Sequence, residues 1–428
     1  MTKNQKHVNQ SILIPLIRKT ALASALSQVL GFSASIGQAA TITVTTTSGD
    51  TGGPDCTLRD AITAANFDTA IGGCPAGSGT DTINLPANSI ITLTVRDNND
   101  NGLPIVTSAI TIEGHGATIK RDVGRPRFRI FEINQGSLEL RNTIIRNGHS
   151  YNYDSGGGIS SNDSIVNLIN SKVLNNRTDG ESNGGGIHAF GGTVTLISST
   201  VSGNSCYANG GGIDGINTIM TIINSTISNN TGGGFGSGIS NFAFPENSSS
   251  LLTLINSTVS GNNGSAGVAI YNTRMEMKNS TVTENVSSSE YTGSGIMIRK
   301  GNRGEPKEFF LENSIIANNS GRDCSNNTTL TPVVKNTLIG DGGTNCGTPF
   351  LTGDPKLKPL RKNGGPTRTH ALRADSPAID TGDDAICATL PKNTRDQPTD
   401  QRGRSRTGPA AGPHCDIGAY EFRRRRRE

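Results

Sequence analysis

The sequence predicts an all-β chain wound as a parallel β-helix, and three observations carry that prediction. A glycine run ending in one Ile recurs at Ile159, Ile187, Ile213, Ile239, Ile270 and Ile296, with spacings of 28, 26, 26, 31 and 26 residues. A second, β-branched element rewrites itself between Leu140 and Asp341 as LRNTIIRN, LINSKVLNN, LISSTVSGN, IINSTISNN, LINSTVSGN, MKNSTVTEN, LENSIIANN and VKNTLIGD. Two rulers that keep step at such a period, varying by several residues, exclude a coiled coil and fit a solenoid. Within each unit the apolar residues alternate, and Gly and Asn punctuate every few positions, which describes short strands joined by tight turns. One unit cannot enclose a core. Stacked units can, each strand pairing with its copy about 4.8 Å away.

Composition agrees. Of 428 residues 54 are Gly and none is Trp, and charged residues make up 17%, so a narrow interior of Ile, Val and Leu is expected. The formal net charge of +4 is small for this length and concentrated towards the C-terminal end, which gives no sign of a nucleic-acid partner.

Residues 1–39 read as a signal peptide. They contain Lys3, Lys6, Arg18 and Lys19 without Asp or Glu, then an apolar run from Ala21 to Phe32 and small residues ending at Ala39-Ala40. The run is too short for a membrane span, and the mature chain has no other candidate. Export permits disulfides, and the cysteines fall into local pairs: Cys56 with Cys74, Cys324 with Cys346, and Cys387 with Cys415, leaving Cys206 alone. No CxxC spacing suggests a metal.

Residues 40–95 form an N-terminal cap and first strands. Thr57 and Asp60 make a capping box, and Leu58, Ile62 and Ala65 lie on one face of a short helix. Such a helix covers the open end of the first coil, whose strand edges would otherwise be exposed. Residues 96–340 are the repeats. Asn204, Asn230, Asn262, Asn285 and Asn319 are expected to stack as a turn ladder. Sequons such as Asn224-Ser225-Thr226 fall on the repeat element itself, and Asn tolerates the left-handed turn that element needs. Beyond Asp341 the repeats stop and proline rises, marking an irregular C-terminal cap over 341–422, with a basic tail at 423–428.

Both ends carry a resemblance. CTLRDAITAAN (Cys56 to Asn66) resembles the Cys-Ser-Leu-Arg-Glu-Ala motif of exported bacterial right-handed β-helix proteins, with Thr57 and Asp60 as departures. DPKLKPLRKNGGPTRTHAL (Asp354 to Leu372), SPAID (Ser376 to Asp380), TDQRG (Thr399 to Gly403) and CDIGAYEF (Cys415 to Phe422) are similar to the choice-of-anchor C-terminal domain of the same proteins. The repeats resemble those of polymorphic outer membrane proteins, with Val or Ile where those have Phe. The resemblance implies a single-stranded, right-handed β-helix that is secreted or displayed at the cell surface, with periplasm or outer membrane as further compartments. Where that family carries an anchor, this sequence has Arg423 to Arg427 and Glu428, read as a solvated tail.

Several constellations hold residue types that could carry chemistry. Gly114-His115-Gly116 and Gly382-Asp383-Asp384 echo polygalacturonase motifs, but in the wrong order and in different parts of the chain. Arg121, Arg125, Arg127 and Arg129 offer the base of a β-elimination lyase, or a surface for acidic sugars. Residues just after the glycine-Ile element, Ser160, His188, Asp214 and Ser240, should form one outward column continuing as Tyr271 and Met297, with the residue types of a nucleophile, a base and an orienter. GGGIDGI (Gly210 to Ile216) does not recur with calcium-roll spacing. The sequence therefore points to a noncatalytic, adhesin-like or glycan-binding scaffold with Ser160, His188, Asp214, Arg125 and Arg127 facing ligand. The expected partner is an extracellular or cell-surface polysaccharide, with no cofactor or metal and a monomeric state. The alternatives are a polysaccharide lyase or glycoside hydrolase of the pectin-lyase-like type, and a plain spacer.

Overall fold

The computed structural model describes residues 39–423, apart from 50–52, 99, 152–153, 245–248, 288–292, 301–307, 344 and 409. The leader and residues 424–428 of the basic tail lie outside the described residues.

A complete coil contributes four strands in a fixed order, seen in Ile187–Phe190, Thr193–Ile197, Thr200–Ser202 and Ser205–Cys206, while the coils at either end contribute fewer. Among the described residues these stack into four parallel sheets of 8, 11, 10 and 6 strands, here called the first to the fourth. The chain is an all-β, right-handed parallel β-helix.

Register makes the core. In the first sheet one inward file runs Phe131, Ile159, Ile187, Ile213, Ile239, Val268, Ile296, Cys324. Five of the six glycine-preceded isoleucines thus share a file. The sixth is corrected: Val268 takes the place expected of Ile270, which pairs with Asn241 and Ile298 two residues further on. In GSAGVAI the residue after the glycine is Val268, and its β-branched side chain fills the inward place as Ile does in the other coils. The second sheet adds files such as Leu140, Leu168, Leu196, Ile222, Leu254 and Met277, and the third adds Ile145, Val173, Val201, Ile227, Val259 and Val282, all buried.

Two polar ladders tie the corners. Where the second sheet turns into the third, Asn170, Asn224, Asn256, Asn279 and Asn313 adopt positive φ, and the following Ser hydroxyl accepts the backbone N–H one coil back: Ser199 from Ser171, Ser225 from Ser199, Ser257 from Ser225. Where the third turns into the fourth, the buried amides of Asn176, Asn204, Asn230, Asn262 and Asn285 and the partly exposed amide of Asn319 hydrogen-bond in series, and the Asp323 carboxylate ends the row. A buried donor left unpaired costs about 1–3 kcal/mol, so a ladder that pairs every corner is what allows a thin solenoid to turn so sharply.

The helix Leu58–Phe67 closes the N-terminal end. Thr57 caps it, accepting from the Asp60 N–H at 3.1 Å, and Leu58, Ala61, Ile62, Ala64 and Ala65 join the coil interior. Arg59, also buried, donates to the carbonyls of Gly49 and Val95 at 2.7 and 2.5 Å, stitching helix to coil. Disulfides join Cys56–Cys74 behind the helix, Cys324–Cys346 at the last coils and Cys387–Cys415 in the C-terminal segment.

That C-terminal segment runs back along the outer face of the third sheet. Thr226 donates to the Arg368 carbonyl, Thr258 to Gln401, and Ser260 pairs with His370. Arg406, wholly buried, reaches Glu421 at 3.1 Å and Asn256 at 3.2 Å. Among the described residues, the hydrogen bonds from residues 367–422 to the coils go to the third sheet and its corner with the second, and the first sheet meets the C-terminal residues only at its last strand, through Asp341, Asn345 and Cys346.

Candidate functional site

The outward residues of the fourth sheet begin the site. His149 and Arg177 are register partners on two-residue strands of successive coils. Two residues on, Asp179 accepts from Arg177 Nε at 2.6 Å through one oxygen, and through the other from His149 Nε2 at 2.7 Å and an Arg127 amino group at 3.2 Å. Arg127 arrives from the loop after Arg121. The buried Arg121 guanidinium shapes that loop by donating to the carbonyls of Asp122 and Arg125, each at 3.0 Å. Arg127 also lies over the Tyr151 ring, 5.1 Å from its centroid.

Burial alone would lift the Asp179 carboxyl, but hydrogen bonds from His149 and Arg177, with their charges, hold it below its ordinary value. Burial pushes His149 down despite Asp179, so near neutral pH the imidazole is uncharged, donates from Nε2 and keeps an acceptor at Nδ1. Arg127 and Arg177 remain half or more exposed, at 50% and 61%, each with donors that Asp179 does not occupy. Tyr207, 72% exposed, stands between two depressions. One of about 430 Å³ is lined by Arg177, Asp179, Ser205 and Cys206; the other, of about 560 Å³, by Glu181, Asn183, Asn209 and Gly233. Cys206 is buried beneath the first, its thiol pushed up to about 12 chiefly by burial.

The outward column of the first sheet lies beside this corner. Ser160, His188, Asp214 and Ser240 are successive register partners, and the column continues through Ala269 and Met297. Tyr271, expected in this column, stands two places further along its strand for the same reason as Ile270. His188 Nδ1 meets an Asp214 oxygen at 2.9 Å, and the Ser240 hydroxyl donates to the other oxygen. Asp214 is fully buried, correcting its expected ligand-facing position. The turn at Gly210 covers it: a Cβ there would stand 2.6 Å from that of Asp214 at a φ of 66°, so only glycine fits. Asp214 therefore acts on a ligand only by orienting His188, whose side chain is 13% exposed.

The nucleophile-base-orienter arrangement is thus half assembled. Ser160 sits opposite His188 in register, but no hydrogen bond joins them among the described residues. The N–H groups of Gly184, Gly185 and Gly186 donate to the carbonyls of Asn209, Gly210 and Gly211, so the glycine run offers no free donors for an oxyanion.

The remaining candidates lie apart. Arg125 is exposed and meets Asp122 at 3.8 Å, on the Arg127 loop but outside the Asp179 cluster. Arg129 turns inward to Glu132 and Asp154, each at 3.2 Å. His115 sits exposed on a left-handed turn, and Asp383 caps the short helix Asp384–Cys387. Among the described residues no three His, Cys, Asp or Glu side chains converge as a metal-ligand set.

Sequence reasoning missed His149, Arg177, Asp179 and Tyr207. A signal existed: the residue after each ladder asparagine, as in Asn176-Arg177 and Asn204-Ser205, faces outward in the fourth sheet, and aligning that position puts Arg177 beside His149.

No family model matches the chain, and no curated protein matches it. A solved structure described as pectate lyase Pel9A aligns at a TM-score of 0.45 and 12% identity, over 91% of this chain and 98% of that one. Nothing about activity follows from that similarity.

Proposed function

We propose that this chain is a secreted or cell-surface β-helix that holds polysaccharide along its uncovered flank without cleaving it. The observation that carries the reading is the gathering of Arg127, Arg177 and His149 around Asp179, with Tyr151 and Tyr207 exposed beside them. Guanidinium forks donate to sugar hydroxyls and carboxylates, Asp179 and His149 Nδ1 accept from hydroxyls, and tyrosine faces pack on pyranose rings. A solenoid presents such contacts in series, so many weak contacts replace one deep pocket. Three disulfides suit an oxidising compartment. Among the described residues no helix is long and apolar enough to cross a membrane.

The test is a panel of acidic and neutral polysaccharides, scored for retention and for product release. Retention without products, weakened about tenfold or more by Arg127→Ala with Arg177→Ala, is the expected result. Products whose formation is lost with His188→Ala would replace the binding reading with a catalytic one.

A further inference from the structure

Aromatic residues make up 4% of this chain, yet five of them gather on one outer face where the aliphatic core has no use for them. Two places along from His188, the first sheet carries a second outward file: Phe190, Ile216, Phe242, Tyr271, Arg299. Phe235 and Phe244 flank it. Phe242 stacks with Phe244 at 6.2 Å and 10° between planes, Tyr271 lies 5.6 Å from Phe242 and 5.7 Å from Phe244, and the Arg299 guanidinium sits 5.0 Å over Phe235. Phe242 is buried among its neighbours, but Phe190 and Phe244 are 46% and 50% exposed, an unusual placement for Phe unless it meets a partner.

The stripe continues the site already described. The depression on the far side of Tyr207 is floored by Gly233 and Gly234, and the next residue is Phe235. A track therefore leads from Arg177 and Asp179, past Tyr207, to the rings around Tyr271. From Phe190 to Arg299 the file spans four coil rises, roughly 19 Å at about 4.8 Å each.

Building on the glycan-binding reading, we propose that this track takes one linear polysaccharide lying along the solenoid axis. Its carboxylates meet Arg127 and Arg177, and the C–H face of a pyranose some rings further on stacks on Phe244 and Tyr271, with Arg299 donating to hydroxyls at the end. The ligand class is a β-linked polyuronate, in which anionic groups and flat apolar ring faces occur on the same chain. The occupant is argued from continuity: a chain bound at the arginines is led onto the rings, and an apolar ring face matches an aromatic one.

The experiment is calorimetric binding of size-graded β-1,4-oligoglucuronates, dimer to hexamer, to the whole protein and to Phe244→Ala/Tyr271→Ala and Arg127→Ala/Arg177→Ala, each checked by circular dichroism and melting. Wild type should gain affinity with length. The aromatic variant should bind dimers as wild type does and lose about tenfold for hexamers, while the arginine variant weakens at every length. Hexamer affinity unchanged in a folded aromatic variant overturns the track and leaves the glycan reading standing. No binding by wild type at any length, or a dimer in sedimentation that the aromatic variant abolishes, overturns the track as well, the first because the underlying reading fails and the second because another copy of the chain is the occupant.

Discussion

Asn230→Ala tests what holds the coils in register. Asn230 is fully buried, and its side chain makes four hydrogen bonds. Its carbonyl accepts from the N–H and the amide of Asn204, both at 3.0 Å, and its amide donates to the Val201 carbonyl at 3.1 Å and to Asn262 at 2.9 Å. After truncation the Asn204 amide group keeps the Val173 carbonyl and the Asn262 carbonyl keeps the Asn230 N–H, but the Asn204 backbone N–H loses its partner. One orphaned buried donor at about 1–3 kcal/mol, with net losses of about 0.5–1.5 kcal/mol for each of the three other bonds, gives an expected destabilisation of about 5 kcal/mol. Asn229, next in sequence, is the control. It is exposed, and its φ of 55° needs a left-handed backbone rather than a side-chain contact, so Asn229→Gly should stay within about 0.5 kcal/mol. The assay is urea unfolding with amide exchange at residue 204. A shift below about 1 kcal/mol for Asn230→Ala, with protection at 204 intact, would refute the claim that the ladder secures the corners.

Two further predictions concern titration. Burial pushes Glu421 up to about 8 and Asp416 up to about 6; the neighbouring carboxylates add to the effect on Glu421, and Arg406 opposes both. Both folded values exceed the unfolded ones, so the stabilisation is present at low pH and drains away as pH climbs from about 4 towards 8. Thermal stability should fall over that window, by up to a few kcal/mol at 1.36 kcal/mol per unit, and Glu421→Gln should flatten the decline. At the site, Asp179→Asn removes the carboxylate that raises His149, so an NMR titration should find the imidazole still further below its ordinary value; an upward shift would contradict the geometry.

The fold was legible because a solenoid writes its register into its repeats: the inward files and the asparagine row could be aligned by eye. The error at Ile270 shows the limit, since a file asks for a β-branched side chain and not for one residue type. His188 beside Asp214 was legible for the same reason. Burial of Asp214 was not, because the covering turn at Gly210 belongs to the loop before the strand. The Asp179 cluster was hidden further, drawing on strands of two residues and on a loop from another coil, where neither periodicity nor composition marks which side chains meet.

Where the coils vary in length separates scaffold from site. Leu138 precedes Ile145 by the same interval that separates Val166 from Val173, Met220 from Ile227, Leu252 from Val259 and Phe309 from Ile316, so from Leu138 onward the corner between the second and third sheets keeps one length, and only the two coils before it, where Ile110 leads to Ile119 and Asp81 to Ile91, are longer there. The serine ladder occupies that corner, and an inserted residue would break it. Insertions fall instead on either side of the first sheet: Arg177 to Ile187 is longer than Ser205 to Ile213, and Phe242 to Leu251 is longer than Ile216 to Ile219. Those are the corners bearing Asp179, Tyr207 and Phe244. In a stacked fold, loop variation confined to one face costs the core nothing and is available for recognition, so a ligand that avoided the first sheet would have to bind where the ladders leave the chain no freedom to adapt to it.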